Sequence, residues 1–271
     1  MSPGVDSAMG AAVPTLTRLV RIPLLPRLVR LLPLLVLLVV WKAVTDAHWY
    51  PPELLVPPSE VWAALRELIE TGELQNHLQV SLHRLGIGMA LGCGFGVLFG
   101  VVMALSRTVE TYTAPLFHVI RQVPSIALIP VLILIFGIGE TFKILIVIKA
   151  AFFPVALATY TAVQGIPRPF FEVARVYQLP RAVLFRRIVL PATIPPIITG
   201  VRLALGRSWG TLVAAELLAA EAGIGQMMEF ARQMFRIDVV MVGVLITGLI
   251  GFGFDRSFKW LEARLLRWRV R

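Results

Sequence analysis

The sequence predicts an all-α membrane protein with about six transmembrane helices, and composition and apolar patterning support this. Of its 271 residues, 57% are hydrophobic and only 15% are charged, and the mean hydropathy is +0.80. So few polar side chains could hardly cover a water-soluble surface. Apolar stretches recur along the chain at close to the length, about 20 residues, that a helix needs to cross a bilayer. Little of the chain is left for a separate soluble domain.

The first predicted span covers about residues 29–48. Its apolar stretch, from about Leu31, follows four arginines, as the apolar part of a signal peptide does. Cleavage is not expected, because no small-x-small site follows and Trp49 and Tyr50 instead fit an interfacial aromatic belt. We therefore predict a basic cytoplasmic tail over residues 1–30 and a transmembrane domain over residues 31–271.

Between the first and second spans, apolar residues at helical spacing after Ser59 predict a short amphipathic helix that stops near Gly72 and lies at the membrane surface. Five further spans are expected near residues 78–105, 115–137, 141–164, 193–217 and 239–261. The second span carries glycines at four-residue spacing, a pattern that lets a neighbouring helix approach closely. These glycines are Gly88, Gly92, Gly96 and Gly100.

Basic residues are distributed unevenly between alternate loops. One side receives the N-terminal arginines, the interval 165–192 and the basic C-terminus, while the other holds Arg66, Arg232 and Arg236 beside several acids. The positive-inside rule then predicts both termini in the cytoplasm. The net charge of +10 is explained by this topology, and nucleic acid is not an expected partner because the cations stand between apolar stretches.

A proline divides the long polar interval 165–192. Pro180 pushes Leu179 out of the helical region and is itself well suited to begin a helix. We expect two short helices joined near these two residues, with the second ending before Pro191.

This interval resembles the cytoplasmic loop of the permeases of ATP-binding-cassette (ABC) importers. That loop carries Glu-Ala-Ala, a glycine six residues after the glutamate, and Ile-x-Leu-Pro ten residues after that glycine, and the spacing here is the same. Two positions differ from the family, since Val173 replaces the first alanine and Gln178 replaces the glycine. The resemblance implies that the interval is a coupling-helix loop that contacts the ATPase through Glu172, Ala174, Gln178, Leu179, Pro180, Ile188, Leu190 and Pro191.

From about Pro57 onward the chain is similar to the nitrate, sulfonate and taurine branch of these permeases. The similarity is carried by Pro58–Trp62, Val123–Pro124, Ile129–Pro130, Phe136–Glu140 and Ala214–Glu216. It implies a type I ABC importer permease fold in the bacterial inner membrane.

The partners that this resemblance implies are two copies of an ABC ATPase subunit, a periplasmic or lipid-anchored substrate-binding protein, and a second copy of the chain in a homodimer. No Gly-x-x-x-x-Gly-Lys-Ser/Thr loop is present to hold phosphates. We therefore expect ATP and Mg to be bound by the partner ATPase, with no cofactor in this chain.

Two cations inside predicted spans are candidates for a substrate path, because intramembrane charges are expensive. At about 1.5 Å per residue, Lys149 lies roughly 12 Å below the outer boundary and Arg207 roughly 20 Å above the inner one, so their depths nearly coincide. We hypothesise that they hold a small organic anion, a sulfonate or carboxylate with one or two negative groups. Alternatively, each cation pairs with an internal acid or with backbone carbonyls.

Three more residues are assigned to this path as a hypothesis. Glu216 is an acid near the outer end of the fifth span, too far from Arg207 for a pair one helical turn apart, and is assigned a structural or gating role. Pro124 and Pro130 are expected to bend the third span and free carbonyls that line the path.

Other functional classes are less consistent with the sequence. An ion-gradient-driven secondary transporter or channel would show internal repeats, and no convincing repeat is found. A membrane-embedded enzyme would need clustered catalytic residues, whereas the four histidines are scattered and the one cysteine excludes a disulfide within the chain. We predict no catalytic residue and no metal site. The substrate stays open among sulfonates, taurine, nitrate, and aromatic or other carboxylates.

Overall fold

The computed structural model describes residues 25–51 and 55–265, and the regular elements in these ranges are all helical. The chain divides after Pro58 into two compact units. The first contains one described helix, α1 (Leu25–Asp46), whose 22 residues make it about 33 Å long. It covers most of the predicted first span. Residues 1–24 of the predicted tail lie outside the described residues.

The second unit is a bundle of long helices joined by short ones. Its elements are α2 (Pro58–Glu70), α3 (Glu73–Leu105), α4 (Arg107–Gln122), a 3₁₀ turn (Ile126–Leu128), α5 (Ile129–Phe136), α6 (Glu140–Gln164), α7 (Arg168–Val176), α8 (Arg181–Leu184), a π turn (Phe185–Val189), α9 (Leu190–Ala219), α10 (Ile224–Gln233) and α11 (Ile237–Leu265).

Four of the described helical segments are long and apolar enough to span a membrane, and a bent pair makes a fifth. The four are α3, α6, α11 and the continuous helix Ala182–Ala219. The all-α prediction is therefore confirmed, and each of the four overlaps a predicted span.

The third predicted span is broken and not merely kinked. Its two parts, α4 and the segment Ile126–Phe136, meet at 88°. The break falls at Val123, whose extended backbone is the conformation that a following proline favours. Pro130, which we expected to add a second bend, instead stands in the first turn of α5. A proline is tolerated there because the N–H that it lacks would have no helical partner.

The prediction that the second short helix of the loop ends before Pro191 is wrong. The helix continues through a π turn into α9, and Pro191 stands in the first turn of α9. The N–H of Leu190 donates to the carbonyl of Phe185, five residues earlier. This wider turn makes room for the pyrrolidine ring, which in a regular α-helix would clash with the carbonyl four residues before it.

The glycine ladder of α3 packs directly against α6, as the spacing predicted. A Cβ added at Gly92 would lie 2.7 Å from the Cβ of Ala151, and one added at Gly100 would lie 2.7 Å from the Cβ of Thr159. On α9, Gly200 makes the corresponding approach to Ala158 of α6. α6 is thus enclosed by α3 and α9 at close range.

The predicted amphipathic helix is present as α2. Its apolar side buries Val61, Ala64 and Leu68, and it ends just before Gly72, which has a positive φ of 76°. On the polar side, Arg236 donates hydrogen bonds of 2.8 and 2.7 Å to the two carboxylate oxygens of Glu67. These bonds lower the pKa of Glu67 below its ordinary value. Their contribution to stability is present above the ordinary pKa of a glutamate and is lost as the pH falls through the lowered one.

Two alanine substitutions in the same helix test the packing between α3 and α6. We expect Gly92→Ala to destabilise the protein by about 1–3 kcal/mol, because its methyl group overlaps Ala151 and the Ile148 carbonyl. Gly94→Ala is the matched control, since no atom lies within 4 Å of an added Cβ there. Thermal unfolding of the detergent-purified protein measures both, and equal melting temperatures for the two variants would contradict the close contact.

Candidate functional site

A cavity of about 420 Å³ lies between the end of α4, the middle of α6 and the middle of α9. Its position follows from the break at Val123, where the chain leaves α4 and turns before α5 begins. The lining residues are Arg121, Gln122, Val123, Pro124, Ser125, Ile126, Lys149, Ala150, Phe153, Pro154, Gly206, Arg207, Gly210 and Thr211. They include three cations and no carboxylate, so the field inside the cavity favours a negatively charged ligand.

Lys149 is half-buried on α6 and is oriented by the break. Its Nζ donates to the Val123 carbonyl over 2.6 Å and to Ser125 Oγ over 3.4 Å. It also lies 5.6 Å from the ring centroid of Phe153, within cation–π range. One of the two alternatives weighed for this lysine, pairing with a backbone carbonyl, is therefore observed, and the same contact holds the ammonium group at the cavity wall.

Arg207 is exposed on α9, and among the described residues it makes neither a hydrogen bond nor an ion pair. A second cavity of about 510 Å³, lined by residues that include Leu157, Thr199 and Glu262, shares Pro154 and Arg207 with the first. Arg207 therefore lies where the two cavities meet.

The sequence-predicted path residues are only partly brought together. Lys149, Arg207 and Pro124 line one cavity, whereas Pro130 and Glu216 do not. Arg121 also lines this cavity and was not predicted. Its position in the last turn of α4, two residues before Val123 and the break, was the signal that could have identified it.

Glu216 belongs to a buried ionic network, where its side chain is 1% exposed. It accepts hydrogen bonds from Arg84 Nη1 at 2.8 Å, from Ser81 Oγ at 2.8 Å and from the Gly225 N–H at 3.1 Å. Such saturation of a carboxylate compensates its removal from water. The network joins α3, α9 and the start of α10.

Arg84 extends the network to α6. Its Nε and Nη2 donate to the two carboxylate oxygens of Glu140, each over 2.6 Å, and its Nη1 also donates to the Ala222 carbonyl over 2.6 Å. Lys143 adds a contact of 3.2 Å to Glu140. Arg84 and Lys143 were not among the predicted site residues, although each is a cation inside a predicted span. Glu216 is thus a buried ion-pair partner of Arg84.

The predicted coupling loop forms a helix, a turn and a second helix. At the end of α7 the Leu179 N–H donates to the Ala174 carbonyl over 2.9 Å and the Gln178 N–H to the Arg175 carbonyl over 3.0 Å. This is a Schellman motif, whose residue with positive φ is usually glycine. Gln178 adopts that conformation with φ 49°, so the turn forms without the family's glycine.

The α7 surface combines an exposed acid with exposed apolar groups. Glu172 is exposed while Ala174, two residues later, is 5% exposed. Val173, Val176 and Tyr177 expose 53%, 79% and 75% of their surface. Apolar side chains so open to solvent in a polar loop mark a surface for contact with a partner.

No three or more His, Cys, Asp and Glu side chains come together as metal ligands in the part of the chain that the structure describes. The polar groups that the cavity offers to a ligand are its cations and hydroxyl groups.

A helical membrane bundle with a cationic cavity and a protruding two-helix loop defines a transport subunit. The chain belongs to the family of binding-protein-dependent transport system inner membrane components, which matches residues 96–267. Both the predicted resemblance to ABC importer permeases of the sulfonate and taurine type and the predicted permease role are thereby confirmed.

Individual relatives agree with this assignment. The putative aliphatic sulfonates transport permease protein of Bacillus subtilis (strain 168) is 36% identical over 230 residues, which are 85% of this chain and 83% of the relative. The taurine transport system permease protein of Escherichia coli (strain K12) is 35% identical over 234 residues, which are 84% of this chain and 85% of the relative.

A solved structure shows the shared fold. A crystal structure of an amino acid ABC transporter with histidines superposes with a TM-score of 0.62 at 15% identity, over 74% of this chain and 97% of that chain. The fold is the type I ABC importer permease fold, as predicted. An ion-gradient-driven transporter or channel, the alternative left open above, does not account for the family match.

Substitution of Arg84 tests the structural role of the buried network. We expect Arg84→Met to destabilise the protein by about 3–5 kcal/mol, because it leaves the Glu216 carboxylate buried without a cation. The double variant Arg84→Met, Glu216→Leu is expected to recover part of this loss, since it removes both charges. Denaturation in detergent measures each variant, with the exposed pair Arg232 and Glu229 as control, where Arg232→Met should cost at most about 1 kcal/mol. A double variant no more stable than Arg84→Met would contradict the pairing.

Proposed function

We propose that this permease subunit forms the path of a small organic anion, a sulfonate or a carboxylate. The observation that carries the proposal is the cavity in which Arg121, Lys149 and Arg207 meet without a lining carboxylate. Guanidinium groups bind carboxylate and sulfonate oxygens through paired hydrogen bonds, and an ammonium group adds a compact charge. The aliphatic sulfonates and taurine named for two relatives are consistent with such a cavity.

The position of the cations favours a site through which a solute passes, and not one in which a solute is permanently bound. Arg207 lies where two cavities meet, one beside the α4 break and one beside Thr199 and Glu262. A solute held by Arg207 would have access to both cavities. The Val123 carbonyl holds the ammonium group of Lys149 at the cavity wall, beside the path.

The energy source in this proposal is a separate ATPase. Two copies of an ABC ATPase subunit bind ATP and Mg, and each contacts the 165–192 loop of one permease. The α7 surface around Glu172, with its exposed valines and Tyr177, supplies the contact. A periplasmic or lipid-anchored binding protein delivers the substrate on the opposite side of the bacterial inner membrane, with both permease termini in the cytoplasm.

The continuity of the loop with α9 gives this coupling a physical route. Ala182–Ala219 is one helix, because the π turn bridges Pro191 without a break. A push on α8 therefore moves the helix that carries Arg207. A loop that ended before Pro191 would have transmitted less of this displacement.

A homodimer completes the path. On α9, Gly206 and Gly210 line the cavity and are exposed, and an added Cβ at either would meet no atom within 4 Å in the protomer. Small residues with free space on one side allow another helix to approach closely in a membrane. The second copy of the chain would then close the open side of the cavity.

Stimulated ATP hydrolysis tests the anion path. In the complex reconstituted with its ATPase and binding protein, we expect one anion among a panel of sulfonates, carboxylates and nitrate to raise ATPase activity. Lys149→Ala with Arg207→Ala should abolish this rise, because the cavity then loses two of its cations. Arg256→Ala, on the exposed surface of α11, is the control for loss of a cation outside the cavity and should retain it. If the double variant keeps the stimulation, Lys149 and Arg207 have structural roles and do not bind the anion.

The coupling role is tested on the loop itself. Glu172→Ala should weaken co-purification of the permease with the ATPase and lower uptake, while leaving the melting temperature of the isolated permease unchanged because Glu172 is exposed. Glu70→Ala, an exposed acid on α2, serves as the control. If assembly and uptake of the Glu172 variant match those of the wild type, the loop does not couple through this residue.

A further inference from the structure

The charge of the cavity exceeds what one singly charged solute would balance. Within one protomer, Arg121, Lys149 and Arg207 contribute three positive charges, and none of the other lining residues is acidic. Uncompensated cations at membrane depth are expensive, and they repel one another strongly where little water screens them. A monoanion would leave two of these charges unbalanced, whereas a dianion would leave one.

The three cations come from different helices and divide into two groups. Lys149 bonds the carbonyl of Val123, two residues after Arg121, so both cations belong to the side of the cavity formed by the α4 break. Arg207 belongs to the other side, on α9, next to Gly206 and Gly210. The cavity is therefore positive on two sides.

The surface between these two groups is apolar and partly aromatic. Ala150, Phe153 and Pro154 on α6 line the cavity together with Lys149 and the α9 residues. Hydroxyl groups are available on both sides, from Ser125 in the break and Thr211 on α9. A volume of about 420 Å³ is in the range of pockets that enclose whole organic molecules and is larger than one sulfonate group requires.

We propose that the substrate is an organic dianion, with two carboxylate or sulfonate groups at opposite ends of a short apolar body. Arg121 and Arg207 each bind one anionic group, Lys149 adds charge beside Arg121, and the apolar body lies on Ala150 and Phe153. This inference rests on the proposed anion path and narrows it to one class of substrate. It also assigns a specificity role to Arg121, whose position follows from the broken third span.

The test compares anions that share a body and differ in one charged group. Butyrate is compared with succinate, and benzoate with terephthalate, by calorimetric binding to the purified permease–ATPase complex in neutral phosphatidylcholine nanodiscs. Phosphatidylcholine is zwitterionic, so no lipid of net negative charge competes with the added anion for the cavity. We expect at least one dianion to bind about 10- to 100-fold more tightly than its matched monoanion, as a second charge-assisted contact of this kind provides.

Variants identify the contacts. Arg207→Gln and Arg121→Gln should each weaken the dianion about 10-fold or more, while Arg207→Gln should bring dianion and monoanion to within about 3-fold of each other. Arg207→Lys should restore part of the preference, and Arg256→Gln should not alter it. Since Arg207 is exposed in the protomer, its variant keeps the test valid even if the Arg121 variant fails to fold.

The outcomes separate this inference from the proposed path. Equal binding of matched mono- and dianions would overturn the dianion assignment, and so would a dianion preference that both arginine variants keep. In either case, ATPase activity that an anion still stimulates would leave the proposed anion path intact. Absence of binding by every anion, together with an ATPase that no anion stimulates, would overturn both.

Discussion

Close contact between α3 and α6 is the constraint on which the rest of the bundle depends. Helices in a bilayer gain little from excluding lipid, so they associate where backbones can approach closely. Gly88, Gly92, Gly96 and Gly100 provide such an approach along somewhat more than three turns of α3. With α6 held on this side and packed against α9 at Gly200, its remaining face presents Lys149 and Phe153 to the α4 break. The position of the cavity is therefore a consequence of helix packing.

The molecule contains charged groups in two different physical situations. In the Arg84 and Glu216 network, the buried carboxylate and guanidinium are saturated with hydrogen bonds, so the network is stable without any further ligand. In the cavity, Arg207 lacks such bonds from the described residues, and the hydrogen-bond partners of Lys149 are a carbonyl and a hydroxyl group, both uncharged. The first arrangement holds helices together, and the second is suited to a solute that supplies the missing negative charge. Burial alone would not have separated these two roles.

Two irregular backbone segments, each next to a proline, connect the packing to function. The break at Pro124 releases the Val123 carbonyl that orients Lys149, and the π turn before Pro191 joins the loop to α9. A straight third span would leave Lys149 without its partner, and an interrupted α9 would isolate Arg207 from the loop. Gln178 is a third irregularity, since it holds a positive φ without being glycine. This left-handed conformation costs a residue other than glycine about 1–2 kcal/mol, so the turn at Gln178 lowers the stability of the loop by about that amount.

By itself, the sequence determined the features that depend on local spacing. These are the apolar spans, the glycine ladder and the two-helix loop with its join near Leu179 and Pro180, since helical period and rise convert position into place. Tertiary structure alone decided which charges meet. Arg84 and Glu216 are separated by 132 positions, and their pairing, like the arrival of Arg121 beside Lys149, depends on how several helices pack. The same holds for Pro124 and Pro191, because the effect of each depends on its surroundings. The Val123 carbonyl freed at Pro124 accepts a hydrogen bond from Lys149, and the π turn makes room for the ring of Pro191. Long-range pairing has no period along the chain, and for that reason it could not be predicted from spacing.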